Sequence, residues 1–265
     1  PTVNPFKQKL LDGHPQFGLF CMSLNAQTAD ALSLSGFDFL MFDAEHTPTS
    51  LPTLYTQALA LAPTATQCLV RMPSSDPVLF KPVLDMAIDT VMVPNIRTAG
   101  EARACLRAVR YPPHGIRGVG GSVRATGYGR HADYYAAASD RICLLLQIES
   151  AEGLKNLDEI CAVEGVDGLF IGPVDLATDM GHLAQATHPA VVEAALGGIR
   201  RVRAAGKAAG ILAGEPQAAM YVEAGANVVC LGSDLGLLVK SADALAARWV
   251  RSQRLPLARR RNETC

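Results

Sequence analysis

Short apolar runs alternate along the chain with longer segments in which apolar residues recur at the spacing of an α-helix. This alternation is typical of parallel strands that are each followed by a covering helix. The predicted strands are Phe17–Met22, Phe37–Phe42, Gln67–Val70, Thr90–Val93, Ile142–Leu146, Val166–Ile171, Ala208–Leu212 and Val228–Leu231. The predicted helices are Thr28–Ser35, one capped by Ser50 that ends near Pro63, Pro77–Ile88, Ala99–Arg110, one between residues 149 and 166, Val191–Ala205, Pro216–Ala224 and Leu237 to about Ser252. The pattern predicts an α/β fold, a (β/α)₈ TIM barrel.

Two further features complete the predicted organisation. No change in composition marks a domain boundary, so residues 1–253 are predicted to be one barrel domain and residues 254–265 a flexible C-terminal tail. The alternation lapses between Tyr111 and Asp140, a segment rich in glycine that also carries Arg117, Arg124 and Arg130. A connection of this length is more typical of a functional lid or a subunit contact than of a simple loop.

Polar residues collect where the predicted strands end, which is the edge at which parallel barrels perform chemistry. Glu149 and Asp175 each follow a buried strand, and one helix separates them, so both carboxylates should lie at the same edge. Hard oxygen donors suit Mg²⁺ or Mn²⁺ and leave coordination positions for water and a chelating substrate. The alternative is that Glu149 caps a helix and Asp175 balances an arginine.

Three further residues are catalytic candidates. Arg71 ends a strand, where it could pair with an acid or hold an oxyanion. His46 follows a strand end, and its neighbours Asp43 and Glu45 make it a candidate general base, although a single histidine is more often structural. Asp85 lies on the helix after the Arg71 strand, and from the sequence alone it is only a polar helix residue.

Composition limits the classes of function. With 49% hydrophobic and 18% charged residues and a net charge of -1, the chain is expected to be globular, with neither nucleic acid nor a membrane as partner. Seven cysteines without a CxxC pair, no signal sequence and no apolar span long enough to cross a bilayer predict a cytoplasmic protein.

Two cofactor classes are also disfavoured. The six lysines fall in helices, the N-terminal segment or the wrong end of a strand, which disfavours a Schiff base. Neither a GxGxxG nor a Walker motif is present, so nucleotide use is not indicated.

Five stretches together resemble one known family. They are FDFLMFDAEHTP (37–48), LVRMPSSDPVLFKPVLDMAIDTVMVP (69–94), RAVRYPPHGIRGVGG (107–121), LLLQIESAEGLKNLDEICAVEGVDGLFIGPVDLA (144–177) and GKAAGIL (206–212). In this order they are similar to the HpcH/HpaI family of class II, metal-dependent pyruvate aldolases. The resemblance implies a barrel of the phosphoenolpyruvate/pyruvate-binding type. It also implies a hexamer, a trimer of dimers, in which the last helix packs on a neighbouring subunit.

The resemblance also assigns roles to residues. Glu149 and Asp175 would bind the divalent ion, which would be Mg²⁺ or Mn²⁺ or, as a further possibility, Co²⁺. Arg71 would contact the pyruvyl oxygen, and His46 with Asp85 would manage protons. The assigned substrate-binding residues are Gln147, Gly172, Pro173, Val174, Asp175 and Leu212. Backbone N–H groups of Val174 and Asp175 would hold the pyruvate carboxylate.

The implied function is reversible cleavage of a 4-hydroxy-2-oxo acid to pyruvate and an aldehyde. Two alternatives stay open: a related lyase acting on a CoA thioester or a keto-acid decarboxylase, and a non-catalytic keto-acid-binding protein. The arginines of the 111–140 segment are the candidates for binding CoA phosphates. The chain differs from the family pattern at Ala44, Asn95, Val174 and Ala177, where Gly, Met, Ala and Ser are usual.

Overall fold

A computed structural model describes residues 3–251, which form a closed barrel of eight parallel strands in sequence order. The strands are β1 (Gln16–Cys21), β2 (Phe39–Asp43), β3 (Gln67–Arg71), β4 (Thr90–Val93), β5 (Cys143–Ile148), β6 (Gly168–Ile171), β7 (Ala208–Leu212) and β8 (Val228–Ser233). Closure occurs through pairing of β1 with β8, for example Gln16 with Val228. The predicted (β/α)₈ barrel is confirmed. The predicted domain limit at residue 253 and the tail 254–265 lie outside the described residues.

At least one helix follows each strand, and together the helices surround the barrel. They are α1 (Pro5–Leu11), α2 (Ala26–Ser33), α3 (Leu51–Leu61), α4 (Pro77–Asp85), α5 (Ala99–Val109), α6 (Tyr134–Arg141), α7 (Ala151–Lys155), α8 (Leu157–Cys161), α9 (Pro173–Asp179), α10 (Pro189–Ala204), α11 (Glu215–Glu223) and α12 (Asp234–Ala246). Within residues 3–251, no helix is long and apolar enough to cross a membrane.

Alternation along the strands divides the core into two layers. In β2, Phe39 and Met41 pack inside the barrel with Phe170, whereas Leu40 and Phe42 pack outward against the helices. Successive residues of a strand point to opposite faces, and both faces of a parallel barrel are covered. This arrangement explains why the strands are continuous apolar runs in the sequence.

Several helix limits differ from the prediction for local reasons. The helix predicted from Thr28 begins at Ala26 because the Asn25 side chain accepts hydrogen bonds from the N–H groups of Gln27 and Thr28. The single helix predicted between β5 and β6 is two helices, α7 and α8, which meet at Asn156. By contrast, Ser50 caps its helix as predicted, and Asp76 caps α4, which begins at Pro77 as predicted.

The segment 111–140 is more ordered than a loop. It contains a short 3₁₀ turn at Arg124–Thr126 and most of α6. The side chain of Arg117 is fully buried: its Nη2 donates to Asp85 Oδ1 (3.0 Å), and its Cζ lies 4.6 Å from the ring centre of Tyr111. Burial and this ion pair make Arg117 unavailable to a phosphate, which removes one of the three arginines that were candidates for binding CoA phosphates.

Candidate active site

Two adjoining cavities open at the carboxyl ends of the strands. One of about 420 Å³, here called the Arg71 cavity, is lined by Phe20, Met22, Asp43, His46, Arg71, Gln147, Phe170, Gly172, Pro173, Val174, Asp175, Leu212, Gly232 and Ser233. The second, of about 480 Å³ and here called the Glu149 cavity, is lined by Glu45, His46, Asn95, Arg97, Glu149, Ser150, Asp175, Thr178 and Asp179. His46 and Asp175 line both cavities and therefore mark the boundary between them. The Arg71 cavity brings together every predicted substrate-binding residue.

Arg71 is held rigidly by Asp43, which the sequence indicated only as a neighbour of His46. Asp43 and Arg71 are paired residues at the ends of β2 and β3. Arg71 Nε and Nη2 donate to the two oxygens of Asp43 (2.9 and 2.6 Å), and Nη1 lies 3.2 Å from Glu45 Oε2. The ring of Phe20 lies 4.7 Å from the Arg71 guanidinium. This bidentate pair fixes the orientation of Arg71 at the cavity wall.

The charge states of this pair follow from its geometry. Burial alone would raise the pKa of Asp43, but the hydrogen bond and positive charge of Arg71 outweigh it and lower the pKa. Burial alone would lower the pKa of Arg71, but the carboxylates of Asp43, Glu45 and Glu149 raise it. Both groups are therefore ionised, and Arg71 presents a permanent positive charge.

Glu149 is a buried carboxylate held by two donors. The backbone N–H of Asn95 donates to Glu149 Oε1 (2.7 Å), and Gln147 Nε2 donates to Glu149 Oε2. Burial, and after it the charges of Glu45 and Asp175, raise the pKa of Glu149 to about 7. Three carboxylates therefore repel one another in this region, which is the condition that a bound cation would relieve.

Asp175 is positioned by the strand pair next to Glu149. Ile148 of β5 pairs with Ile171 of β6, and the N–H of Gly172 donates to the carbonyl of Ile148 (2.9 Å). Asp175 follows in the first turn of α9 and lines the Glu149 cavity together with Glu149.

The donor set fits the metal that the resemblance implies. The available atoms are carboxylate oxygens, which suit Mg²⁺ and Mn²⁺. No group of three or more acidic, histidine or cysteine side chains that could hold an ion occurs among residues 3–251. A site formed by Glu149 and Asp175 alone would leave coordination positions for water and a substrate.

His46 and Asp85 occupy different surroundings. The side chain of His46 is half-exposed, and its Nε2 lies 3.7 Å from Glu45 Oε2. Asp85 lies at the end of α4, pairs with Arg117 and lines neither cavity. Cooperation of Asp85 with His46 therefore stays a prediction.

Comparison with known proteins identifies the family of this chain. Residues 16–241 match the family described as HpcH/HpaI aldolase/citrate lyase. The 4-hydroxy-2-oxo-heptane-1,7-dioate aldolase of Klebsiella pneumoniae is 48% identical over 248 residues, which cover 93% of this chain and 94% of that protein. The pyruvate aldolase of Rhizobium etli is 45% identical over 248 residues, which cover 93% of this chain and 98% of that protein. The chain belongs to the HpcH/HpaI aldolase family.

A solved structure supports the same assignment. The HpcH/HpaI aldolase/citrate lyase family protein from Burkholderia cenocepacia is 36% identical and superposes with a TM-score of 0.89, covering 94% of this chain and all of that one (100%). Because the close relatives of this chain in the family are named aldolases, the chain is an enzyme, a carbon–carbon lyase of the aldolase type. The non-catalytic alternative is not supported.

A methyl group at Gly172 should displace the Glu149 carboxylate and weaken metal binding. A Cβ there would lie 2.7 Å from Glu149 Oε2, 2.8 Å from Gln147 Nε2 and 2.9 Å from Glu149 Cβ, so the whole Glu149 side chain must move. Gly172→Ala should therefore displace Glu149, and the affinity of the folded variant for Mn²⁺ should fall by roughly 10- to 100-fold. Isothermal titration calorimetry measures the affinity for Mn²⁺.

Gly197→Ala, where a Cβ meets nothing within 4 Å, is the matched control. Equal affinities in the two variants would show that Glu149 does not bind the ion.

The metal-free enzyme should lose stability as the pH rises from about 4.5 to about 7. In this range folded Glu149, with its pKa raised to about 7, binds more protons than the unfolded chain, so the free energy of unfolding falls with rising pH. The loss attributable to Glu149 is on the order of 3 kcal/mol. The free energy of unfolding is measured with urea, in the presence of chelator, at about pH 5 and pH 8. The difference in this pH dependence between wild type and Glu149→Gln gives the contribution of Glu149. The same pH dependence in both proteins would contradict the assignment.

Proposed function

We propose that this enzyme is a divalent-metal-dependent pyruvate aldolase that reversibly cleaves a 4-hydroxy-2-oxo acid to pyruvate and an aldehyde. The observation that carries the proposal is the arrangement of the two cavities. Arg71 lines one, the Glu149 carboxylate lines the other, and His46 and Asp175 stand at their boundary. The names of the relatives suggest 4-hydroxy-2-oxo-heptane-1,7-dioate as the substrate, whose cleavage yields pyruvate and 4-oxobutanoate.

Different residues of the chain would have different roles in this cleavage. Arg71, fixed by Asp43, donates hydrogen bonds to the C2 oxygen, where negative charge develops as the C3–C4 bond breaks. His46 accepts the proton of the C4 hydroxyl, which becomes the aldehyde oxygen. The electron pair of the broken bond passes into the enolate of pyruvate, which is then protonated at C3. The backbone N–H groups of Val174 and Asp175 hold the pyruvate carboxylate at the start of α9.

The proposed cofactor is Mg²⁺ or Mn²⁺, with Co²⁺ as a further candidate, held by Glu149 and Asp175. Bound there, the ion would supply Lewis-acid stabilisation of the same developing charge. Gln147 supports this role by holding Glu149 through its amide nitrogen. Its Oε1 is buried without a hydrogen-bond partner among the described residues, and Gln147 lines the Arg71 cavity, so we assign this oxygen as an acceptor for a substrate group.

We also propose the assembly that the family resemblance implies, a hexamer built as a trimer of dimers. In α12 the side chains of Leu237, Leu238, Val239 and Leu245 are exposed, and Asp234 is the only buried residue of that helix. Exposed apolar residues clustered on one helix indicate a contact surface, which supports packing of α12 on a neighbouring subunit.

The six described cysteines are free, which fits a reducing compartment such as the cytoplasm.

A coupled assay tests the proposed reaction. Purified enzyme is mixed with 4-hydroxy-2-oxo-heptane-1,7-dioate, and the pyruvate released is reduced by lactate dehydrogenase, with consumption of NADH as the readout. Turnover should require Mg²⁺, Mn²⁺ or Co²⁺ and stop in excess chelator. Full activity in chelator would overturn the metal requirement. Absence of pyruvate formation with this and shorter 4-hydroxy-2-oxo acids would overturn the proposed reaction.

A further inference from the structure

Arg97 brings a permanent positive charge to a cavity that is otherwise acidic. The Glu149 cavity has four carboxylates along its wall: Glu45, Glu149, Asp175 and Asp179. Among the residues that line it, Arg97 is the only arginine or lysine. A guanidinium in this position can bind a carboxylate or a phosphate with two parallel hydrogen bonds.

The backbone of Arg97 is fixed on both sides. It lies between the end of β4 and the start of α5, where its N–H donates to Glu101 Oε2 (2.8 Å). Its carbonyl accepts a hydrogen bond from Asn156 Nδ2 (2.9 Å). Glu101 also closes the capping box of α5 with Thr98, so the residue is held by a helix start and by the α7–α8 junction.

The side chain of Arg97 is connected to the proposed metal ligand through one residue. Arg97 Nε donates to Asn95 Oδ1 (3.1 Å), and the backbone N–H of the same Asn95 donates to Glu149 Oε1 (2.7 Å). Asn95 has a φ of 59°, a left-handed conformation that asparagine tolerates better than most residues. Asn95 therefore links the side chain of Arg97 to the carboxylate proposed to hold the metal ion.

Within the described part of the chain, the ion pair that would compete with an anion for Arg97 is weak. Glu152 Oε2 lies 3.8 Å from Arg97 Nη1, and the two side chains are 56% and 47% exposed. A long, solvent-exposed ion pair of this kind contributes little free energy. An anion on a bound substrate can replace it.

The two cavities would bind different parts of a 4-hydroxy-2-oxo acid. Its pyruvyl part belongs in the Arg71 cavity, where Arg71, Gln147 and the start of α9 are located. The C4 hydroxyl lies at the boundary, because His46, which accepts its proton, lines both cavities. The carbons beyond C4 then extend into the Glu149 cavity, toward Arg97.

We infer that Arg97 binds an anionic group at the aldehyde end of the substrate and makes this enzyme selective for aldehydes that carry a carboxylate. The inference rests on the proposed aldolase function. Arg97 would be a specificity-determining residue, with Asn95 as its positioning residue.

Two aldehydes of the same shape test this inference in the condensation direction. Pyruvate is condensed by the Mn²⁺-loaded enzyme with 4-oxobutanoate or with 4-methylpentanal, its uncharged isostere. Arg97→Gln should lower the ratio of kcat/KM for 4-oxobutanoate to that for 4-methylpentanal by about 10- to 100-fold. The change should come mainly from a higher KM for 4-oxobutanoate, because the anion is bound in both the ground state and the transition state.

Two further variants make the outcome decisive. Arg97→Lys should recover part of the ratio, since it keeps the charge and loses the planar fork. Arg103→Gln, an exposed arginine on α5 that lines neither cavity, should leave the ratio unchanged. An unchanged ratio in Arg97→Gln, or an equal loss with both aldehydes, overturns the inference and leaves the aldolase function intact. Failure of the wild-type enzyme to condense either aldehyde instead overturns the proposed function.

Discussion

Replacing Glu149 by glutamine should lower kcat for pyruvate formation by about 10³-fold or more and remove the response to added Mg²⁺ or Mn²⁺. The substitution keeps the shape of the side chain and removes one of the two carboxylates proposed to hold the ion. A divalent ion contributes several kcal/mol of charge stabilisation in a transition state, and about 1.4 kcal/mol corresponds to a tenfold change in rate. The lactate-dehydrogenase-coupled assay measures the loss across a range of metal concentrations.

A neighbouring glutamate provides the control for this experiment. Glu159→Gln makes the same chemical change at an exposed position on α8, outside both cavities, and should retain wild-type turnover. The Glu149→Gln protein should remain folded, since removing a charge that burial disfavours does not cost stability at neutral pH. If Glu149→Gln keeps more than about a tenth of the wild-type rate, the ion does not contribute the stabilisation assigned to it.

The positions of Glu149 and Asp175 illustrate what the sequence could predict. Each carboxylate follows an apolar run, and parallel strands place their carboxyl ends at one edge of a barrel. The structure places both side chains in one cavity, as this reasoning requires. Only the order of residues along two neighbouring strands was needed, which is local information.

The role of Asp43 depended on information that the sequence does not contain. Asp43 was visible at a strand end, but its bidentate contact with Arg71 depends on the register between β2 and β3. The same limit applies to Asn95, whose contact with Glu149 joins residues 54 positions apart. A cue for Asn95 did exist, because the residue departs from the family pattern.

The sequence did not predict α6, and the reason is different. This helix follows a stretch of prolines and glycines, and its side chains include a run of three alanines with little helical periodicity. Its position is fixed by tertiary contacts, above all Tyr134, whose hydroxyl accepts a hydrogen bond from the buried Arg117 (3.1 Å). A helix that depends on such contacts is not apparent from its own sequence.

Replacing Arg71 by alanine should lower kcat by roughly 10²- to 10³-fold, the cost of removing a donor to a developing oxyanion. Because the side chain of Asp43 is fully buried, this variant also leaves an uncompensated carboxylate, which can destabilise the fold by about 3–5 kcal/mol. Stability must therefore be separated from catalysis. The double variant Arg71→Ala/Asp43→Asn removes both charges together and should recover most of the thermal stability without recovering activity.

Exchange of the pyruvate methyl protons with deuterated solvent isolates the step at which Arg71 acts. Enolate formation alone causes this exchange, so an aldehyde is not required, and NMR follows it directly. Both the single and the double variant should exchange roughly 10²- to 10³-fold more slowly than wild type. Arg71→Lys should also be slow, because lysine keeps the charge but cannot make the bidentate contact with Asp43 that orients the donor. Exchange at the wild-type rate in a folded Arg71→Ala/Asp43→Asn enzyme would show that Arg71 holds the fold of the site and does not stabilise the enolate.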